Sequence, residues 1–396
     1  MLETSPRRRY AFPLLAYAFV AVMAGTTLPT PMYALYAERM HFGVLTTTVV
    51  YATYAVAVLV ALVAFGRWSD AIGRRPVLLA GVLSAVVSAV VFLFADSVPL
   101  LLAGRVLSGL SAGLFAGTAT AAVIEAAPPR WHGRAAAVAT VANIGGLGIG
   151  PLLAGVLVEY APDPLQLTFV VHIVLALAAA AAVAFMPETS PGHGRLGVQR
   201  LSVPAEVRPV FAIAALAAFA GFAVTGLFTA VAPAFVTNVI GIGNHAVAGL
   251  IVASIFASSA VGQIASTKIA PERAVALGCA ILVVGMVSLT VALHFSSLAW
   301  LIAAATISGI GQGVSFGRGL AAISESTPPD RRAEVNSTYF VVAYIAISLP
   351  VIGDGLAARA WGLQTSGISF AIAVATLAMI CLLAIIARET RRPATL

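Results

Sequence analysis

The sequence predicts an all-α membrane protein of twelve transmembrane helices, arranged as two pseudo-symmetric six-helix bundles. Three observations carry that expectation. The 396-residue chain is 60% hydrophobic and only 9% charged, whereas a soluble domain carries about 25% charged residues to face water. Mean hydropathy is +1.01. Apolar runs of roughly 20 residues, the length that crosses a bilayer core, recur from Ala11 to Ala387, and basic residues cluster at alternate ends of those runs. The runs are continuous, which excludes the short alternating stretches of a membrane β-barrel.

Taken in order, the apolar runs and the polar, proline and glycine punctuation between them place spans at 11–34, 45–66, 75–95, 98–122, 135–158, 165–187, 209–234, 246–267, 272–293, 297–321, 333–356 and 364–387. The first run follows Arg7, Arg8 and Arg9 and superficially resembles a signal peptide. It continues to about Leu28 and meets Pro29-Thr30-Pro31 without a small-x-small cleavage site, so it reads as the first spanning helix. The longest connection, residues 188–208, contains Pro191, Gly192, Gly194, Gly197 and Pro204 and marks a linker between an N-terminal half, 1–187, and a C-terminal half, 209–396.

Charge fixes the expected orientation. With the N-terminus inside, the inner segments hold Arg7, Arg8, Arg9, Arg67, Arg74, Arg75, Arg130, Arg134, Arg195, Arg200, Arg208, Lys268, Arg273, Arg331, Arg332, Arg388, Arg391 and Arg392, which is 18 of the 22 basic residues. Arg39 and Arg359 fall outside, and Arg105 and Arg318 within helices. The positive-inside rule then predicts both termini in the cytoplasm of a multi-pass protein in a bacterial inner membrane. The net charge of +7 is dispersed among these clusters, so no nucleic-acid surface is expected. Cys279 and Cys381 sit in apolar stretches and suggest neither a metal site nor a disulfide. No metal-ligand cluster, activated nucleophile or phosphate-binding loop is visible, so the sequence predicts neither an enzyme nor a bound cofactor.

An internal repeat supports the two halves. Shifted by 200 residues, 108–130 and 308–330 share Ser108/Ser308, Gly109/Gly309, Gly113/Gly313, Gly117/Gly317, Ala121/Ala321, Ala122/Ala322, Glu125/Glu325, Pro128/Pro328 and Pro129/Pro329. These are the ends of helices four and ten, as parallel repeats related by an axis along the membrane normal require.

Between helices two and three stands Gly66-x-x-x-Asp70-x-x-Gly73-Arg74-Arg75. Asp70 can accept hydrogen bonds from nearby backbone or a basic side chain, Gly73 permits a tight turn, and the arginines anchor the inner face. This loop resembles the signature of the major facilitator superfamily, and the chain resembles that superfamily along essentially its whole length. The resemblance implies alternating access between two halves, with the loop as a cytoplasmic latch. Glu125 is expected to join it through Arg74, Arg75 or Arg134. The second-half loop is degenerate, with Gly262 retained, Ser266 in place of the acid, and then Lys268 and Arg273.

Arg105 lies inside helix four, where a charge is costly unless it faces a cavity or partner, or snorkels to the outer surface. It resembles the superfamily's helix-four arginine, which implies proton-coupled transport. In helix five, Gly146-x-x-x-Gly150-Pro151-x-x-x-Gly155 is similar to the motif of drug/proton antiporters, although Ala154 replaces one closing glycine. Small residues and a proline also suit close helix packing alone. Arg318, Asn143, His172, Gln263, Gln312, Tyr339 and Tyr344 are candidates to line a central cavity. Glu38 and Asp354, both placed near outer helix ends, are the candidate titrating groups. The resemblance therefore implies a monomeric secondary transporter driven by a proton gradient, exporting a small amphipathic solute or drug. The alternative is proton-linked uptake or export of a metabolite such as a sugar or organic acid.

Overall fold

The computed structural model describes residues 6–391 except 191, 193 and 195, with the side chains of 6–9 and 389–391 outside the description. Arg7, Arg8, Arg9, Arg195, Arg391 and Arg392 of the charge pattern, together with Pro191 of the linker, therefore lie outside the described side chains or residues. Twelve stretches are long and apolar enough to cross a membrane. Their helices are α1 (Pro6–Thr27), α2 (Val44–Phe65), α3 (Arg74–Leu93), α4 (Val98–Glu125), α5 (Ala135–Tyr160), α6 (Pro164–Phe185), α7 (Arg208–Ala230), α8 (His245–Ala265), α9 (Pro271–His294), α10 (Leu298–Glu325), α11 (Arg332–Trp361) and α12 (Leu363–Arg391). No strand occurs among the described residues.

Several boundaries shift by a few residues from the hydropathy pattern, and two of the shifts have identifiable reasons. The first span runs to Met40 rather than residue 34. Pro29 and Pro31 cannot donate backbone hydrogen bonds, so α1 stops at Thr27, passes through a short 3-10 turn, Thr30–Met32, and resumes as the helix Tyr33–Met40. That helix ends at His41 in a left-handed conformation, φ 55°. At the other boundary, α11 continues to Trp361 and is closed by Gly362 at φ 83°, the glycine-terminated helix end. Asp354 thus lies inside a continuous helix, about two turns from its end.

The chain divides into two compact units. One comprises Met1–Phe42, Val49–Gln199 and Asn244–Ala253, and the other Gly43–Thr48, Arg200–Gly243 and Ser254–Leu396. Within the first unit, a Cβ at Gly113 would come 2.9 Å from the Val58 carbonyl oxygen, and one at Gly109 would meet the Tyr54 carbonyl. α4 therefore lies with its backbone against α2. In the second unit, Gly309 and Gly313 bring α10 equally close to the Ile255 and Ser259 carbonyls of α8. The repeated glycines do the same work twice, because lipid offers no hydrophobic drive between helices and close packing must supply the contact. On the other side of α4, the hydroxyls of Ser84, Ser88 and Ser111 donate to the carbonyls of Leu107, Gly104 and Gly81 at 2.7–2.8 Å, tying it to α3. Cys279 and Cys381 are both free and pack in one apolar cluster of the second unit.

Candidate functional site

The signature loop forms a closed polar network within the first unit. Gly66 donates to the Leu62 carbonyl and finishes the last turn of α2. The short helix Trp68–Ile72 follows, and Gly73 takes φ 97°, a conformation that strains any residue with a side chain. A Cβ there would also sit 2.6 Å from a Glu188 carboxylate oxygen. That space matters, because Glu188 accepts the backbone N–H groups of Arg74 and Arg75 at 2.8 and 3.0 Å. The carboxylate thereby satisfies the exposed donors at the positive end of α3. The Arg74 guanidinium donates to Ser69 Oγ at 2.7 Å, Asp70 Oδ1 at 2.6 Å and Glu125 Oε1 at 3.1 Å. One arginine thus joins the α2–α3 connection to the end of α4. Arg75 turns away and donates to the Ala184 carbonyl at the end of α6. Arg134 is exposed at the end of a 3-10 turn, and Glu125 pairs with Arg74 instead.

Arg105 is completely buried, 0% exposed, so it does not snorkel. Its Nη1 donates to the Thr26 carbonyl at 2.6 Å, one of the carbonyls left over where α1 ends. Its Cζ lies 5.5, 5.8 and 5.1 Å from the ring centres of Tyr33, Tyr51 and Tyr54. Such contacts stabilise a desolvated guanidinium by about 2 kcal/mol or more for each well-placed ring. Arg105 Nε and Nη2 nevertheless have no hydrogen-bond partner, nor do the buried hydroxyls of Thr30, Tyr33 and Tyr36. Among the described residues, no Asp or Glu of this unit is buried with it.

The glycines of α5 follow from its proline. Pro151 lacks the N–H that the Leu147 carbonyl would accept, and Thr27 Oγ1 fills the gap at 2.8 Å. A Cβ at Gly146 would lie 2.8 Å from the Val20 carbonyl, and one at Gly150 would meet the Ala24 carbonyl, so the helix rests directly on α1. Gly155 packs on residue 245, where Glu159 Oε2 accepts the His245 backbone N–H at 2.9 Å and lies 3.1 Å from His245 Nδ1. His172 is buried on α6, its ring lying over Gly25 with Nδ1 unpartnered. It borders a cavity with Thr26, Ser88, Ser108 and Ser111 that has about 10 Å³ of space, roughly enough for one water molecule.

The remaining candidates are distributed through both units. Gln312 is buried on α10, where its Oε1 accepts from Ser259 at 2.5 Å and its chain packs on Gly221. Gln263 packs on Gly317, half-buried. Tyr339 is fully buried, stacked on Phe316 at 5.3 Å and donating to the Phe316 carbonyl at 3.3 Å. Arg318 is half-buried with Nε unpartnered, and Tyr344 and, in the first unit, Asn143 are also half-buried. Glu38 is exposed. Asp354 is 4% exposed, is the one buried acid among the described residues, and has both carboxyl oxygens without a hydrogen-bond partner. It lies beside Gly355, whose Cα faces Thr48 closely.

Sequence reasoning missed Glu188, Glu159, His245 and the tyrosines around Arg105. Tyr33 and Tyr36, and likewise Tyr51 and Tyr54, are spaced i, i+3, which puts each pair on one helical face. That spacing was the available signal. The helix each pair faces is decided by tertiary packing.

The sequence model of the Major Facilitator Superfamily matches residues 15–351. Multidrug resistance protein 2 of Bacillus subtilis (strain 168) is 27% identical over 177 residues, which cover 45% of this chain and 43% of that relative. The chain thus spans less than half the length of that curated relative. Among solved structures, a bacterial homolog of the human lysosomal transporter Spinster, in an inward-facing and unoccupied conformation, aligns with a TM-score of 0.77 and 14% identity, covering 99% of this chain and 100% of that one. The human organic anion transporter MFSD10 (TETRAN) aligns with a TM-score of 0.68 and 17% identity, covering 96% and 100%. At these identities the two structures establish the fold alone.

Proposed function

Because the chain belongs to the Major Facilitator Superfamily and is a multi-pass membrane transporter rather than an enzyme, we propose that it exports a small amphipathic solute by proton-coupled alternating access. The observation that carries the coupling is Asp354, a buried carboxyl inside a spanning helix with neither oxygen hydrogen-bonded. Gain or loss of one proton there changes the charge of a group that lipid and protein solvate poorly. Two conformations that solvate it differently are then biased by proton occupancy. The α5 run around Pro151 supports the antiport direction by its likeness to the drug/proton exchangers. The Arg74 network supports a latch on the side of the α2–α3 connection, and the clustering of basic residues there supports reading that side as cytoplasmic. The same pattern supports an inner membrane with both termini inside, and the reading needs only one copy of the chain.

The test is transport in proteoliposomes under an imposed pH gradient, using a panel of amphipathic cations, neutral compounds and anions. Gradient-driven movement of at least one compound, abolished by a protonophore, is the expected result. Movement indifferent to the gradient contradicts the coupling, and no movement of any class by folded protein contradicts export of amphipathic solutes.

A further inference from the structure

Arg105 carries a positive charge that no buried acid among the described residues of its unit neutralises. A guanidinium offers five N–H donors in a planar fork. Nη1 is occupied by the Thr26 carbonyl, whereas Nε and Nη2 have no partner. Those two atoms form one edge of the fork, and their parallel N–H bonds match the two oxygens of a carboxylate. The edge is buried among Tyr33, Tyr51 and Tyr54, whose rings face the guanidinium. The hydroxyls of Thr30, Tyr33 and Tyr36 add buried polar atoms without partners. The difference from Arg74 lies in charge: the Nη atoms of Arg74 meet the carboxylates of Asp70 and Glu125, whereas no acid meets Arg105 among the described residues.

We propose that Arg105, Tyr33, Tyr51 and Tyr54 form an anion-recognition site, and that the transported solute is an amphipathic anion whose carboxylate takes the Nε/Nη2 edge while its apolar body lies against the tyrosine rings. The inference rests on the transporter reading and narrows its substrate class. An uncompensated cation repels the amphipathic cations that the drug-exporter likeness suggests, and it attracts their acidic counterparts. Tyr33 rides on the helix Tyr33–Met40, which is bounded by the proline-containing turn Thr30–Met32 and by His41 at φ 55°. These two breaks let that helix move relative to α1 and admit a ligand to a site that is otherwise sealed.

The test uses three probes with one apolar body, 4-phenylbutyrate, 4-phenylbutyramide and 4-phenylbutylamine. Protection of the purified full chain against thermal unfolding is measured in detergent against a chloride control. The carboxylate is expected to protect at concentrations about tenfold lower than the amide, with no protection by the amine or by chloride alone. Arg105→Gln is expected to erase the difference. Arg105→Lys keeps the charge but loses the fork, so the preference persists in a weakened form; this variant decides the matter should Arg105→Gln fail to fold. Equal or better protection by the amine or amide overturns the site, as does chloride matching the carboxylate, a preference that survives Arg105→Gln, or protection by none of the three. The same probes in proteoliposomes separate this site from the coupling. A pH gradient that drives the amine but not the carboxylate leaves proton-coupled transport standing and overturns the anion site. Carboxylate protection lost on Arg105→Gln, with no response to the gradient, supports the site and removes the coupling.

Discussion

Helices α4 and α10 are the same scaffold given two different tasks. Both are held by a pair of glycines against a carbonyl-lined neighbour, α2 in one unit and α8 in the other. At the position where α4 carries the buried Arg105, the equivalent residue of α10 is Ala305, also fully buried. At their shared ends, Glu125 pairs with Arg74 at 3.1 Å, whereas Glu325 and Arg273 line a cavity of about 350 Å³ instead of pairing with each other. The backbone repeat is therefore shared as packing, while a fully buried charge is placed in one copy only. Buried charge is costly and is retained where it does work, and glycine contacts are cheap to repeat.

The comparison is broken most severely by moving the charge. Ala305→Arg puts an uncompensated cation where α10 has a methyl group, and it is expected to destabilise the second unit by about 2.5–3.5 kcal/mol, seen as loss of monodisperse protein on gel filtration. Arg105→Ala is expected to leave the chain folded but reduce gradient-driven transport about a hundredfold, equivalent to about 2.7 kcal/mol. Equal behaviour of the two variants in both assays would sink the assignment of charge to one copy.

Replacing the paired glycines tests the shared scaffold. Gly109→Leu and Gly309→Leu each force a side chain into a facing carbonyl, with an expected loss of about 1–3 kcal/mol in unfolding experiments. The scaffold account requires similar losses in the two units, and tolerance of either change would show that its helix pair is not held in this way. The smaller effects lie at the latch. Glu125→Gln removes the acceptor that bridges Arg74 to α4 and is expected to change the transport rate about tenfold, within the usual range of coupling energies. Glu325→Gln, on an exposed residue, is expected to change it by less than about twofold. Glu188→Gln weakens the carboxylate at the start of α3 and should cost about 0.3–1 kcal/mol of thermal stability.

Hydropathy and charge alone made the twelve spans legible, because lipid allows few ways to satisfy a backbone. The exceptions were local. Apolar residues on both sides of Pro29 and Pro31 hid the break after Thr27, and a continuous run past residue 356 concealed how deep in α11 Asp354 lies. The latch motif could be read as a motif, but not its wiring. Three arginines were equally placed for Glu125 by sequence, and geometry selected Arg74. The tyrosines around Arg105 come from two separate helices, so the spacing within each does not reveal that they converge on α4. Thr27 could have been anticipated only by asking which group would satisfy the carbonyl that Pro151 leaves without a donor.

The most direct test of the account is proton movement itself, recorded as pH change inside proteoliposomes when a gradient of a transported solute is imposed. Wild-type protein is predicted to move protons against the solute, and Asp354→Asn to move solute down its gradient with no accompanying protons. Solute flux that never carries protons in the wild type, or proton flux unchanged in Asp354→Asn, would contradict it.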